Sequence, residues 1–458
     1  MGVMSPRRLR VRRPSREASI SMKHYLEPVP CACGKTHTAA IQDVIFGPGV
    51  VRRVPECIAQ LGGTRPFVVA DVHTDVAAGQ TVCQILDEAG IAYRYYVFPQ
   101  EHLEIDEWVV GSALMHFDTT CDVILGVGSG VINDLSKIIS NVSGRPCLTV
   151  GTAPSMDGYA SGTSSTTIDG LKFTLPSRSP DIILGDTDIL RLAPKRMLSA
   201  GVGDMIAKWM GLAEWRISHV INGEYYCEEV ASMVRGAVAR CVAAAPALME
   251  RDPLAVEEVF ETLIIGGLGM VYSGVSRPAS GVEHYFSHVW DMRGLQFGAP
   301  TDLHGIQCAT ALLAVVRLYE HVRQIVPDRE RARRYVEQFD YEAWKEQLRT
   351  FLGESAEPMI ALEEREGKYR TDTHPARLEA IIEHWDEILQ ILDEELPSSA
   401  ELESLLRLLE IPVDMAELGV DHETARLTFL ATKDIRDKYV LSRLAWDLGI
   451  IDELCELL

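Results

Sequence analysis

The chain is 458 residues long, beyond the size at which one hydrophobic core stops growing, so two domains are expected. Hydrophobic residues make up 47% and charged residues 24%, a globular composition, and no apolar run reaches the roughly 18 to 20 residues that span a bilayer. A formal net charge of −22 repels nucleic acid and anionic lipid, which leaves a small molecule in a local pocket as the expected partner.

Residues 1–22 hold six arginines and almost no apolar side chains, the composition of a disordered basic tail. The segment lacks the apolar stretch of a secretory signal, so a cytoplasmic enzyme is the default expectation. Next comes Cys31-Ala-Cys33-Gly-Lys-Thr-His37, whose thiolates and imidazole suit zinc. It has no clear fourth ligand and lacks the two-residue spacing usual between paired cysteine ligands, so it is read as a structured loop. The remaining cysteines are scattered, and reduced thiols are expected rather than a disulfide framework.

From about residue 40, short β-rich runs alternate with helical stretches. Pro66–Asp71 reads as a buried strand followed by an amphipathic helix, and further strands are expected over 93–98, 121–126, 147–150 and 181–185, with a helix over 104–118. This alternation predicts a mostly parallel sheet covered on both faces. Past about 190 the strand signal ends. Helices are expected over 204–219, 224–250, 254–274, 281–291 and 304–325, then near 329–352, 377–394, 398–409 and 421–457. The fold class is therefore α/β: a Rossmann-like dinucleotide-binding domain over 23–190, joined to an all-helical metal- and substrate-binding domain over 191–458.

The third strand runs into Gly126-Val-Gly128-Ser129-Gly130, with Asp134 in the helix that follows. Glycines let a backbone approach a pyrophosphate, and a helix N-terminus offers free N–H groups and positive dipole. The spacing is not the dinucleotide fingerprint, so a plain tight turn competes with the binding reading. A second loop, rich in small hydroxyl residues and carrying Asp157, follows the next strand, where ligands collect in open α/β sheets. In the helical half, three features suggest one metal site: Gly201-Val-Gly203-Asp204, placed at a helix N-terminus with Lys208 one turn on; Glu283-His284 through His288; and His304-Gly305. His284 and His288 are four apart and share a helix face. A carboxylate with two imidazoles leaves an open position on a divalent ion, where a substrate hydroxyl can bind.

These motifs resemble the sn-glycerol-1-phosphate dehydrogenases, in the superfamily of iron-containing alcohol dehydrogenases and dehydroquinate synthase. The specific pieces are Thr152-Ala-Pro-Ser-Met-Asp157-Gly-Tyr-Ala-Ser161, Ala200-Gly-Val-Gly-Asp204 and Pro278-Ala-Ser-Gly-Val-Glu-His284 through His288, with a return at 434–441. The resemblance implies a dehydroquinate synthase-like fold and hydride transfer between NAD or NADP and a polyol phosphate. It implies one divalent ion on Asp204, His284 and His304, with zinc foremost and nickel or iron as alternatives. It sets Gly128, Ser129 and Gly130 on the pyrophosphate, with Thr152, Ser155 and Ser161 lining the cofactor, Asp134 beside them and Asp71 near the adenosine. It turns Asp157 and His288 to the substrate, with Asp204 touching it too, and an imidazole near its ordinary pKa suits His288 to proton relay. Lys208 and loop N–H groups stand as candidates for the phosphate. A homo-oligomer, in the simplest case a dimer, is expected.

The family continues His-Gly with Glu-Gln and then glycine, whereas this chain reads His304-Gly-Ile306-Gln307-Cys308-Ala309, which implies an altered metal preference or substrate. The acidic stretch over 328–420 is longer than the family leads one to expect. A dehydrogenase for an unphosphorylated polyol or for another sugar-alcohol phosphate is the alternative activity, with a cyclising lyase and a non-catalytic binding protein behind it.

Overall fold

The computed structural model describes residues 20–458. The strands in chain order are β1 (Ile20–Ser21), β2 (Val29–Pro30), β3 (Thr36–His37), β4 (Asp43–Gly47), β5 (Pro66–Asp71), β6 (Arg94–Phe98), β7 (Val123–Gly128), β8 (Cys147–Gly151), β9 (Thr163–Ile168), β10 (Leu171–Pro176) and β11 (Ile182–Asp186). Seven form one sheet in the order β1-β4-β11-β8-β7-β5-β6, parallel throughout except for β1 at the edge.

The strands read as unbroken apolar runs because both faces are covered. Along β5, Phe67 and Val69 pack on one side with Ile124 and Leu135, while Val68 and Ala70 pack on the other with Leu125 and Val150. From β5 the chain steps outward to β6, returns to β7, and then proceeds the other way through β8 and β11. The order therefore reverses between β5 and β7, and a crevice opens beyond their carboxyl ends, where Asp71 and Gly128 stand.

Several elements differ from expectation. β4 and the β9–β10 hairpin were not foreseen, and the hairpin occupies the second half of what reads as a polar loop. The basic tail expected over 1–22 lies mostly outside the described residues; its last residues join the fold, with Ile20–Ser21 pairing to β4 and Met22 buried in the core. Asp204 sits in the last turn of helix Lys195–Ile206, not at a helix N-terminus, and Lys208 opens the next helix, Lys208–Asn222. Helix 329–352 is two helices, Arg329–Glu337 and Tyr341–Leu352, broken where Asp340 caps the second.

The helical part begins at Lys195 and shares its core with the sheet: Phe260 of helix Pro253–Ser273 packs edge-on against Phe46 of β4 and Tyr159. Glu228–Met249 is long and apolar enough by composition to cross a bilayer, but Val230, Val234, Val238 and Cys241 are buried in this core.

Candidate metal centre and nucleotide crevice

Glycine decides where the metal-site helices meet. A Cβ on Gly305 would stand 1.9 Å from the carbonyl oxygen of Ala200, and one on Gly203 would stand 2.3 Å from that of Gly305. Helices Lys195–Ile206 and His304–Val322 thus touch backbone to backbone, which carries Asp204 to His304. A Cβ on Gly201 would stand 1.9 Å from the Pro154 carbonyl oxygen, so the same helix also lies on the loop after β8.

Around this contact the side chains converge. His284 Nε2 lies 3.7 Å from Asp204 Oδ1, and the His284 and His304 rings are 5.1 Å apart. Behind His284, Glu283 Oε1 sits 2.5 Å from Nδ1, the carboxylate–histidine arrangement that fixes the tautomer and frees Nε2 to ligate. His304 Nδ1 is 2.8 Å from Ser287 Oγ, which accepts from Gln307 at 3.0 Å; Gln307 also donates to Asp291 at 2.9 Å. Gln307 therefore orients His304 through Ser287. Cys308 Sγ lies 3.5 Å from His304 Nε2, and its donor atom lies within 4.8 Å of those of His284 and His304, so a thiol stands beside the two imidazoles; burial pushes its pKa well up in the metal-free chain.

Lys208 is the group whose role sequence reasoning missed. Fully buried, it reaches Asp157 at 2.8 Å and Asp204 at 3.3 Å, and Asp157 N–H donates to Asp204 Oδ2 at 2.8 Å. Two carboxylates and one ammonium thus share a pocket. Burial opposes Lys208's charge, but both carboxylates outweigh it and raise its pKa. Asp157 is raised by burial and by Asp204, while Asp204 is lowered because Lys208 and His284 overcome its desolvation. Engaged in this way, Lys208 is not free for a substrate phosphate, which corrects that expectation.

Burial also opposes protonation of His284, yet its bonds to Asp204 and Glu283 hold its pKa up at about 9. His288, stacked 5.7 Å from His304, goes the other way: burial, then the His304 and His284 charges, push its pKa well below the ordinary value. It stands neutral at neutral pH, which corrects the expectation of a pKa near the free imidazole value. One carboxylate and two imidazoles with carboxylate and hydroxyl backing fit a divalent ion with an open position.

At the crevice, Gly128 is required by packing, since its Cβ would stand 2.5 Å from Ile132 Cβ, whereas Gly130 faces nothing closer than 3.7 Å. Ser129 precedes helix Gly130–Ser143 without capping it, leaving the first N–H groups free for an anion. Ser129 and Ser155 share a 2.5 Å hydrogen bond, and Thr152 N–H donates to Gly128 carbonyl oxygen at 3.2 Å, so the two loops close on each other. Asp71 lies across the crevice, its Oδ1 accepting from the N–H groups of His73 and Thr74. Two residues expected beside the cofactor also have partners within the protein. Ser161 is buried, its hydroxyl bonded to the Gly158 and Thr163 carbonyls and to Lys137; Asp134 pairs with Lys137 at 2.7 Å and accepts from Ser165 N–H. Both bind the loop to its helix.

Residues 45–194 match the family model of iron-containing alcohol dehydrogenases. The chain is 30% identical to a glycerol-1-phosphate dehydrogenase (NAD(P)+) of Halalkalibacterium halodurans, over 85% of this chain and 88% of the relative. The chain belongs to the glycerol-1-phosphate dehydrogenase family. An enzyme of the same name from Bacillus licheniformis is 25% identical over 93% of this chain and 94% of its own length, so the helices beyond 328 are shared rather than an addition. Among solved structures, glycerol dehydrogenase from Schizosaccharomyces pombe (TM-score 0.58, 17% identity, covering 90% of this chain and 89% of that one) has the same fold. So does maleylacetate reductase from a Rhizobium species (TM-score 0.58, 17% identity, 92% and 96%). In this family member, the loop after β8 touches both the glycine turn and Asp204, so the crevice and the candidate metal centre are one assembly.

Proposed function

We propose that the protein interconverts dihydroxyacetone phosphate and sn-glycerol-1-phosphate by hydride transfer with NAD or NADP. The observation that carries this reading is the Asp157 N–H bond to Asp204, which sets a metal ligand directly against the loop lining the nucleotide crevice. Asp204, His284 and His304 hold one divalent ion, zinc first, with nickel or iron as alternatives. When bound, the ion is a Lewis acid that favours negative charge on the substrate oxygen.

The chain's own groups do the rest. The N–H groups at the start of Gly130–Ser143, with Gly128, Ser129, Thr152 and Ser155, receive the pyrophosphate, and Asp71 receives the adenosine ribose. Lys208 keeps Asp157 and Asp204 from repelling each other, so Asp157 can turn its exposed edge to a substrate hydroxyl. Neutral His288 offers that substrate one donor and one acceptor. For the phosphate, Arg436 and Lys172 are the candidates in place of Lys208: Arg436 reaches Thr174 at 3.0 Å, on the strand β10 that also carries Lys172.

The test is oxidation of NADH and NADPH with dihydroxyacetone phosphate, on protein stripped of metal and reloaded with zinc, nickel or iron. Metal-dependent turnover to sn-glycerol-1-phosphate supports the reading. Turnover of glycerol or dihydroxyacetone alone would move the substrate to an unphosphorylated polyol, the choice favoured if Arg436 and Lys172 do not hold a phosphate.

A further inference from the structure

The loop Cys31–His37 lacks a fourth ligand in sequence, and the fold supplies it 190 residues later. Cys31, Cys33, His37 and Cys227 place one donor atom each within 4.8 Å of one another. Cys31 Sγ is 3.6 Å from Cys227 Sγ, and His37 Nε2 is 3.5 Å from Cys33 Sγ and 3.4 Å from Cys227 Sγ. A tetrahedral zinc ion requires edges of about 3.8 Å between sulfurs and about 3.6 Å between sulfur and nitrogen, given its bond lengths. Three of the six donor–donor edges are thus already near the distances an ion would impose, all four donor atoms lie within 4.8 Å of one another, and the thiols are free, not bridged.

The surroundings suit a metal as well. His37 Nδ1 lies 3.1 Å from the Tyr272 carbonyl oxygen, so it carries the proton and Nε2 points its lone pair at the sulfurs. The Cys33 N–H donates to Cys31 Sγ at 3.5 Å and the Tyr225 hydroxyl to Cys33 Sγ at 3.3 Å, both of which stabilise thiolates. Cys227 precedes helix Glu228–Met249, where the dipole favours negative charge. The β2–β3 hairpin has two residues per strand, with Val29 and Pro30 exposed, too little to hold its own shape.

We infer that these four residues form a closed Cys3His zinc site, separate from the catalytic centre, that pins the N-terminal hairpin to the helical domain. Four protein ligands leave no open position, so its role is structural. Elemental mass spectrometry of the wild-type chain is expected to find a zinc equivalent that C227S and C31S lose, with unfolding at lower temperature, and that H304A keeps. Cobalt replacement gives the near-ultraviolet thiolate-to-metal band, absent in C227S. Wild-type and C227S proteins of equal zinc content overturn the proposal, as does a Cys31–Cys227 disulfide in the intact mass. Should C227S fail to fold, alkylation of the wild type decides: protection of Cys31, Cys33 and Cys227 by zinc supports the site, and equal reactivity with and without zinc overturns it.

Discussion

Gly305→Ala tests the backbone contact on which the catalytic centre rests. On an open helix face the change is favourable, because alanine exceeds glycine in helix propensity by about 1 kcal/mol. Here the added Cβ stands 1.9 Å from the Ala200 carbonyl oxygen, with Asp204 N at 3.0 Å, so helices Lys195–Ile206 and His304–Val322 must part by at least about 1 Å. Overpacking of this kind costs about 1–3 kcal/mol, which exceeds the propensity gain. The same shift moves His304 away from Asp204, and a misplacement of about 1 Å at a reacting centre costs on the order of a hundredfold in rate. The control is Gly236→Ala in Glu228–Met249, where nothing lies within 4 Å of the new methyl and stability rises by about 1 kcal/mol. Urea midpoints, metal content and kcat of the two variants give the comparison. If Gly305→Ala gains as much stability as the control and keeps its metal and rate, the helices are not in contact and the account of the glycines is wrong.

Four further outcomes follow from the same geometry. Lys208→Met leaves Asp157 and Asp204 buried without their shared cation, so urea unfolding of the metal-free protein shows a loss of about 3–5 kcal/mol; an unchanged midpoint refutes the bridging role. Glu283→Gln weakens the hold on His284, lowering metal affinity about 10- to 100-fold in a chelator competition, with nucleotide binding intact. Because the folded His284 pKa is raised to about 9, the stability it contributes to the metal-free chain is complete below its unfolded value and lost as pH rises through about 9. Metal must displace that proton, so metal affinity climbs about tenfold per pH unit up to that point and then levels, and a flat titration from neutral pH upward contradicts the assignment. Asp157→Asn keeps NADH binding by fluorescence but reduces kcat about 100-fold or more; equal loss of both would remove Asp157 from the substrate side.

The chain's local pattern was enough to determine the parallel sheet, because strands buried on both faces are unbroken apolar runs, and β5 falls where Pro66–Asp71 predicts it. It also marked Gly201–Asp204, Glu283–His288 and His304-Gly305 as one candidate site, from which the family resemblance singled out Asp204, His284 and His304. What it could not show were positions set by long-range packing. Lys208 reads as a phosphate donor until the fold buries it between two carboxylates, and the partners of Ser161 and Asp134 across the loop are equally invisible in the sequence. The glycines of Gly201-Val-Gly203 and Gly305 are close backbone contacts, which exist only once the second backbone is in place. Cys227 is the sharpest case: it lies 190 residues from His37, and only the docking of the hairpin on the start of Glu228–Met249 brings its sulfur to that imidazole, because a ligand set is a fact of distance in space and not of spacing along the chain.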